Sequence, residues 1–112
     1  MSKTIKELQK LAWQNAESKG FHEFKRSVPE ALCLIHSEVS EALEDYRDGN
    51  MKTWINQEDK PGKPEGFPSE LADVMIRIFD TAEDLGIDLE HEIEIKMAYN
   101  ATRPRLHGGK KI

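Results

Sequence analysis

The sequence has one cysteine, three valines and no long apolar run, and each shortage excludes a class of protein. Because Cys33 stands alone, an internal disulfide and a thiolate-rich zinc site are both excluded. No stretch approaches the roughly 20 apolar residues that a membrane-spanning helix needs. The N-terminus carries charges where a signal peptide would need an apolar segment, so we expect a cytoplasmic protein.

Basic residues are also fewer than acidic ones. The chain has 16 Lys and Arg residues against 21 Asp and Glu residues, which gives a formal net charge of -5. We therefore expect no general attraction to nucleic acid polymers or anionic membranes, and a polyanionic substrate would need local cations or metal ions. With 112 residues, of which 38% are hydrophobic and 33% charged, the chain is predicted to form one soluble domain over residues 1–112.

Segments that alternate apolar and polar residues are missing, and helical periodicity is the only strong structural signal. Thr4 with Glu7 forms a capping box that predicts a first helix over residues 4–19, and Ser27 with Glu30 forms a second one. The helix after Ser27 carries an apolar stripe that we predict to be buried. The stripe comprises Leu32, Ile35, Val39, Leu43 and Tyr46.

Two further helices follow a long connection. Residues 49–67 hold three glycines and two prolines, and they predict a loop with a short helical turn around Trp54. The third helix follows Pro68 and Ser69 and ends at Gly86, and Asp88 caps the fourth. The predicted inward residues of these two helices are Leu71, Val74, Met75, Ile78, Ala82 and Leu85, then Leu89, Ile93 and Met97. The sequence therefore predicts an all-α, four-helix fold with a basic, non-helical tail.

Two carboxylate pairs have i, i+3 spacing, which places both members of a pair on one helix face. They are Glu38 with Glu41, and Glu70 with Asp73, each beside an apolar stripe. Oxygen ligands without sulfur or suitably spaced histidine favour Mg²⁺, with Mn²⁺ as the alternative. Many solvated helices show the same spacing, and Asp73 with Arg77 also fits an ordinary ion pair. We assign Asp45, Asp80 and Asp84 to that surface role.

The fourth helix presents Lys96, Asn100 and Arg103 at i, i+4 and i+7. A carboxylate cluster facing such a stripe suits a phosphorylated substrate held partly by metal ions. Trp54 could close over a nucleobase, and His107 and Lys110 of the tail could cover an anionic ligand or lie in solvent. A di-iron bundle is disfavoured because Glu-x-x-His motifs are absent, and Cys33 fits a buried structural thiol better than a nucleophile.

The run Ser37-Glu38-x-x-Glu41, followed by Glu70-x-x-Asp73, resembles the motif of the MazG-like nucleotide pyrophosphohydrolases, in the all-α nucleoside triphosphate pyrophosphatase superfamily. The segments GKPEGFPSELADV and KMAYNATRPRLHGGKKI extend the resemblance to about residues 28–112. It implies a four-helix bundle completed by dimer or tetramer formation. It also implies Mg²⁺-dependent hydrolysis of a nucleoside or deoxynucleoside triphosphate to the monophosphate and pyrophosphate.

The resemblance also implies roles for individual residues. Glu38, Glu41, Glu70 and Asp73 would hold the metal, with Glu38 and Glu41 closest to the chemistry. Ser37 stands where the fuller motif has a leading glutamate, so the number of metal ions and the general base stay open, with Glu41 or a hydroxide on the metal as candidates. The alternative to a hydrolase is a non-catalytic helical module that binds nucleotides or a protein partner. The residues expected to bind substrate are Lys96, Asn100, Arg103, Trp54, His107 and Lys110.

Overall fold

The structure is a computed structural model that describes residues 2–106 of the chain. Its described part is mostly helical, as predicted, with a small two-stranded sheet between the second and third helices. The predictions made for His107 and Lys110 lie outside the described residues. In chain order the elements are α1 (Ile5–Ser18), α2 (Val28–Arg47), β1 (Trp54–Asn56), β2 (Lys63–Glu65), α3 (Phe67–Asp84) and α4 (Leu89–Thr102).

Local capping sets the starts of three helices, as the sequence predicts. The Thr4 hydroxyl accepts the backbone N–H of Glu7 at 3.1 Å, and the Glu7 carboxylate accepts the backbone N–H of Thr4 at 2.8 Å. Ser27 and Glu30 repeat this reciprocal pair at the start of α2. The Asp88 carboxylate accepts the backbone N–H of His91 at 3.1 Å and begins α4. Each cap satisfies backbone donors that the first helical turn leaves unpaired.

The helical turn predicted around Trp54 is wrong, because this segment forms an antiparallel hairpin that pairs Trp54 with Glu65. Each strand has only three residues, which is too short for an alternating pattern to show in the sequence. A buried amide supports the hairpin: Asn56 Nδ2 donates to Asp59 Oδ1 at 2.8 Å and also to Glu65 Oε2. The Asn56 side chain therefore bonds both the connection between the strands and the opposite strand.

The hairpin is fixed directly to the start of α3. Gly66 has a φ of 106°, and a Cβ at this position would collide with the carbonyl oxygen of Lys52. Only glycine fits both conditions. Helix α3 begins at the next residue, Phe67, slightly before the predicted start. The Ser69 hydroxyl donates to the carbonyl oxygen of Pro64 at 3.1 Å. These contacts place β2 beside the first turn of α3.

Helix α3 is central, because α1 and α2 both pack along it, whereas α4 contacts mainly α1. The backbone N–H of Lys6 donates to Glu90 at 3.1 Å, and the Lys6 ammonium lies 3.5 Å from Asp88. These two contacts join the N-terminal ends of α1 and α4. The buried apolar residues of the described chain are few and mostly small, namely Ala31, Ala42, Phe79 and Ala82.

The stripe predicted to be buried on α2 is largely exposed. Leu32, Val39, Leu43 and Tyr46 each keep 50–61% of their surface, and we call these four residues the apolar face of α2. The small side chains of Ala31 and Ala42 are buried against α3 instead. Helix α2 is thus rotated relative to the prediction. The same rotation leaves Cys33 exposed, contrary to the prediction of a buried thiol.

The chain also exposes more surface than a compact monomer would. Its accessible surface is 8884 Å², against about 6,300 Å² for a compact protein of this size. Its radius of gyration is 16.6 Å, against about 13 Å expected. Met97, predicted to face inward, keeps 66% of its surface. None of the described helices is long and apolar enough to cross a membrane.

Candidate metal centre

The packing of α2 on α3 brings the two acidic pairs together. One carboxylate oxygen from each of Glu38, Glu41 and Glu70 lies within 4.8 Å of the other two. Oxygen ligands on opposite sides of one Mg²⁺ are about 4 Å apart, so small side-chain adjustments would let these three carboxylates share an ion. The donor set contains oxygen alone, which suits Mg²⁺ or Mn²⁺ better than zinc or copper.

Glu70 is the most perturbed member of this cluster. Its Oε2 atom is buried and has no hydrogen-bond partner among the described residues. Burial, and then the charges of Asp73, Glu41, Asp45 and Glu38, raise the pKa of Glu70 from its ordinary 4.5 to about 7. A buried, unpaired carboxylate oxygen is costly unless a proton or a cation compensates it. The residues present therefore fit a divalent ion.

Asp73, the fourth predicted ligand, lies beside this trio and is not within the 4.8 Å group. Partial burial raises the pKa of its carboxyl group, and the charge of Glu38 raises it further. The positive charges of Lys63 and Arg77 oppose that rise. Asp73 therefore belongs to the same electrostatic cluster, one turn along α3 from Glu70.

Arg77 pairs across the two helices. Its Nε donates to Glu38 Oε1 at 2.8 Å, and the Glu38 side chain is only 12% exposed. The sequence suggested an ion pair between Arg77 and Asp73 within α3. The bond to Glu38 uses one carboxylate oxygen and leaves the other for an ion. Arg77 thus holds Glu38 in the interface between α2 and α3.

Two members of this site were not among the predicted ligands or substrate-binding residues. Asp45, which we assigned to the surface, helps to raise the pKa of Glu70, and its position four residues after Glu41 was the available signal. Lys63 is electrostatically coupled to Glu70 and Asp73. No sequence signal predicted Lys63, because its position depends on a hairpin that the sequence did not reveal.

Within the described residues, the side chains of α4 that were predicted to bind substrate are not gathered at the carboxylates. Lys96 and Asn100 are exposed on α4, and α4 contacts mainly α1. The guanidinium carbon of Arg103 lies 5.7 Å from the centre of the Tyr99 ring, a cation–π distance. Trp54 lies in β1 with 47% of its surface exposed. The cationic stripe therefore does not face the acidic cluster inside this chain.

A cavity of about 250 Å³ opens next to the cluster. Its lining includes Glu38 and Asp73 of the cluster, together with Asn15, Phe21 and Arg26 from α1 and the loop that follows it. A second cavity of about 320 Å³ shares Phe21, Arg26 and Asp80 with the first. The two cavities thus adjoin each other under the connection between α1 and α2.

His22 holds that connection against α3. Its ring stacks on Trp13 with 4.7 Å between the ring centres, while its Nε2 lies 2.9 Å from Asp80 and its Nδ1 lies 3.1 Å from Glu17. The Trp13 indole also donates to Asp84 at 3.2 Å. Asp80 and Asp84, which we assigned to surface ion pairs, therefore fix the wall of the cavities.

Ser37, which stands where the resembling motif has a glutamate, does not join the site. Its hydroxyl donates to the carbonyl oxygen of Leu34 at 2.6 Å, within its own helix. Comparisons of the chain with protein-family models, curated proteins and solved structures find no match. The chemistry of this chain is therefore inferred from the site and from the motif.

The pKa of Glu70 predicts how stability varies with pH. In the folded protein the pKa of Glu70 is about 7, instead of its ordinary 4.5. The stabilising contribution of protonated Glu70 is therefore fully present below about pH 4.5 and is lost as the pH rises through about 7. We expect the metal-free protein to lose stability between pH 5 and pH 8, and Glu70→Gln to flatten that slope. Urea unfolding at several pH values measures both slopes.

A Mg²⁺ ion held by these carboxylates should reverse the trend, because an ion that binds the ionised form of Glu70 would stabilise the protein more at pH 8 than at pH 5. Glu44→Gln is the control, since Glu44 lies on α2 and pairs with Arg47. Equal pH slopes for the wild type and Glu70→Gln would contradict the assignment of the perturbed proton to Glu70.

Proposed function

We propose that the protein is a Mg²⁺-dependent nucleotide pyrophosphohydrolase of the MazG-like type, which hydrolyses a nucleoside or deoxynucleoside triphosphate to the monophosphate and pyrophosphate. The observation that carries the proposal is the buried, unpartnered oxygen of Glu70 inside a carboxylate cluster from two helices. A purely structural interface gains nothing from such an arrangement. The motif that joins Glu38 to Asp73 in sequence supports the same proposal.

The roles of the residues follow from their surroundings. Bound Mg²⁺ would neutralise phosphate charge and make a coordinated water more acidic. Glu38, oriented by Arg77, and Glu70, with its buried Oε2 atom, would hold the ion, and Asp73 lies beside them. Glu41 is exposed at the rim of the trio, so it is the carboxylate that water reaches most easily.

We assign the general-base role to the second carboxylate oxygen of Glu41, the one that would not contact the ion. The water oxygen bonds to phosphorus, its proton goes to Glu41, and the bridging P–O bond breaks. The electrons of that bond leave with pyrophosphate. This route uses a carboxylate of the chain and does not require the leading glutamate that Ser37 replaces.

The two adjoining cavities support a nucleotide as the substrate. Cavities that hold small ligands measure about 300–1,000 Å³, and the pair falls in this range when taken together. Phe21 offers an aromatic ring, while Asn15 and Arg26 offer hydrogen-bond donors. A nucleoside could therefore lie in the cavities with its phosphates at the carboxylates.

The exposed apolar face of α2 supports the proposal that the protein assembles as a homodimer or homotetramer. The surface in excess of a compact monomer is larger than the roughly 800 Å² that each partner buries in a standard interface. A second copy would cover Leu32, Val39, Leu43 and Tyr46. It could also present its own α4 to the cluster, which α4 of the same chain does not reach.

The direct test of the activity is incubation with Mg²⁺ and a panel of canonical and modified nucleoside triphosphates, followed by ³¹P NMR. We expect a monophosphate and pyrophosphate from at least one member of the panel, and no product after chelation of the metal. Tight nucleotide binding without product across the panel would overturn the hydrolase and support the non-catalytic binding module.

The carboxylates should be essential to turnover. Glu38→Gln and Asp73→Asn each remove a negative charge from the cluster, and we expect each to lower Mg²⁺-dependent pyrophosphate release by about 100-fold or more. Circular dichroism should show unchanged helical content. Glu44→Gln serves as the matched control and should keep full activity. Wild-type turnover in either cluster variant would remove that residue from the site.

The apolar face of α2 should set the oligomeric state. We expect the wild type to be a dimer or tetramer by light scattering, because the isolated chain leaves this face uncovered. A charged double substitution, Val39→Glu with Leu43→Glu, should produce monomers or unfolded chains. Leu11→Glu, on the exposed part of α1, is the control. A monomeric wild type would contradict the proposed assembly.

A further inference from the structure

Lys63 occupies a fixed position beside the carboxylate cluster. It belongs to β2, directly ahead of α3, and its Nζ lies 3.5 Å from Glu65 Oε1. The other oxygen of Glu65 accepts from the buried Asn56 amide, and Ser69 bonds the carbonyl oxygen of Pro64. On the other side of Lys63, the backbone N–H of Gly62 donates to the carbonyl oxygen of Asn56 at 2.8 Å. The backbone on both sides of Lys63 is therefore anchored, while its side chain keeps 43% of its surface exposed.

The ammonium group is electrostatically coupled to the α3 side of the cluster. Partial burial by itself would lower the pKa of Lys63, but the carboxylates of Glu65, Glu70 and Asp73 together raise it. The effect is mutual, since the charge of Lys63 opposes the rise in the pKa of Asp73. Lys63 therefore lies within electrostatic reach of two of the four proposed metal ligands.

Once the carboxylates hold a divalent ion, such a position would be unfavourable for a lysine whose only role is to balance charge. A divalent ion on the carboxylates would repel the nearby ammonium. A phosphate chain that binds the ion would instead draw the ammonium to its other oxygens, as lysines do at phosphoryl-transfer sites. Arg77 is bonded to Glu38 at 2.8 Å, whereas the contact of Lys63 with Glu65 is longer, at 3.5 Å. Lys96 lies on α4, which contacts mainly α1.

We propose that Lys63 binds the phosphate chain of the substrate next to the carboxylate cluster. The inference rests on the proposed function, because it assumes a metal-bound phosphate ligand at this site. The hairpin then has a function of its own, since it delivers a cation to one end of the site. Lys63 contributes charge and position and takes no proton in the reaction.

Calorimetric titration of the full chain with inorganic probes tests this role without relying on turnover. One titration uses Mg²⁺ alone, and the other uses tripolyphosphate in the presence of excess Mg²⁺. For Lys63→Met we expect Mg²⁺ affinity to be equal or higher, because a nearby positive charge is gone. We expect tripolyphosphate to bind about tenfold more weakly, the loss of one charge-assisted contact.

Matched variants separate this role from general effects. Lys60→Met removes a lysine from the connection between β1 and β2, and both affinities should stay at wild-type values. Lys63→Arg keeps the charge and should retain most of the tripolyphosphate affinity. Lys63→Gln, which keeps a polar side chain, repeats the test should Lys63→Met not fold.

The outcomes distinguish the inference from the proposed function. Unchanged tripolyphosphate affinity in Lys63→Met would overturn the role of Lys63, and nucleotide turnover by the wild type would still support the hydrolase. Loss of tripolyphosphate affinity in a protein that hydrolyses no triphosphate would support Lys63 and overturn the hydrolase. A wild type that binds neither Mg²⁺ nor tripolyphosphate would overturn both.

Discussion

Close packing of α2 against α3 forces acidic side chains into a shared interface, and the rest of the site depends on this contact. Ala31 and Ala42 are small enough to let the two helices approach, with Glu38 and Glu70 between them. Like charges so close together oppose folding unless protons or cations offset them. Arg77 and Lys63 offset part of this charge. A divalent ion would offset more of the negative charge. The same repulsion among carboxylates therefore affects both the stability of the fold and the proposed metal binding.

The helices could be predicted because their signals are local. Capping boxes at Thr4 and Ser27 each involve four consecutive residues, and the structure confirms both. The hairpin could not be predicted, because three-residue strands have no visible periodicity and depend on the buried Asn56. The apolar stripe of α2 shows a different limit. Periodicity identifies the helix face that is expected to be buried, but it does not indicate whether the same chain or another chain covers that face.

The candidate site was predictable in part because the spacing of its carboxylates along each helix is also a local signal. One-turn spacing placed Glu38 with Glu41 on α2, and two predicted helices that must pack could bring Glu70 to them. Lys63 could not be predicted, since its position comes from tertiary contacts. The cations of α4 were expected to face the carboxylates, yet the contacts of Lys6 with Asp88 and Glu90 join α4 to α1. The spacing of residues within a helix does not indicate which other helix it will pack against.

We propose that the carboxylates between α2 and α3 form a site for a divalent cation. Anomalous diffraction from crystals soaked in Mn²⁺ tests it most directly, because Mn²⁺ prefers the same oxygen ligands as Mg²⁺ and can be located by its own scattering. We expect an anomalous peak with carboxylate oxygens of Glu38, Glu41 and Glu70 as ligands. Peaks confined to other parts of the surface, with the Glu70 oxygen still unpartnered, would contradict it.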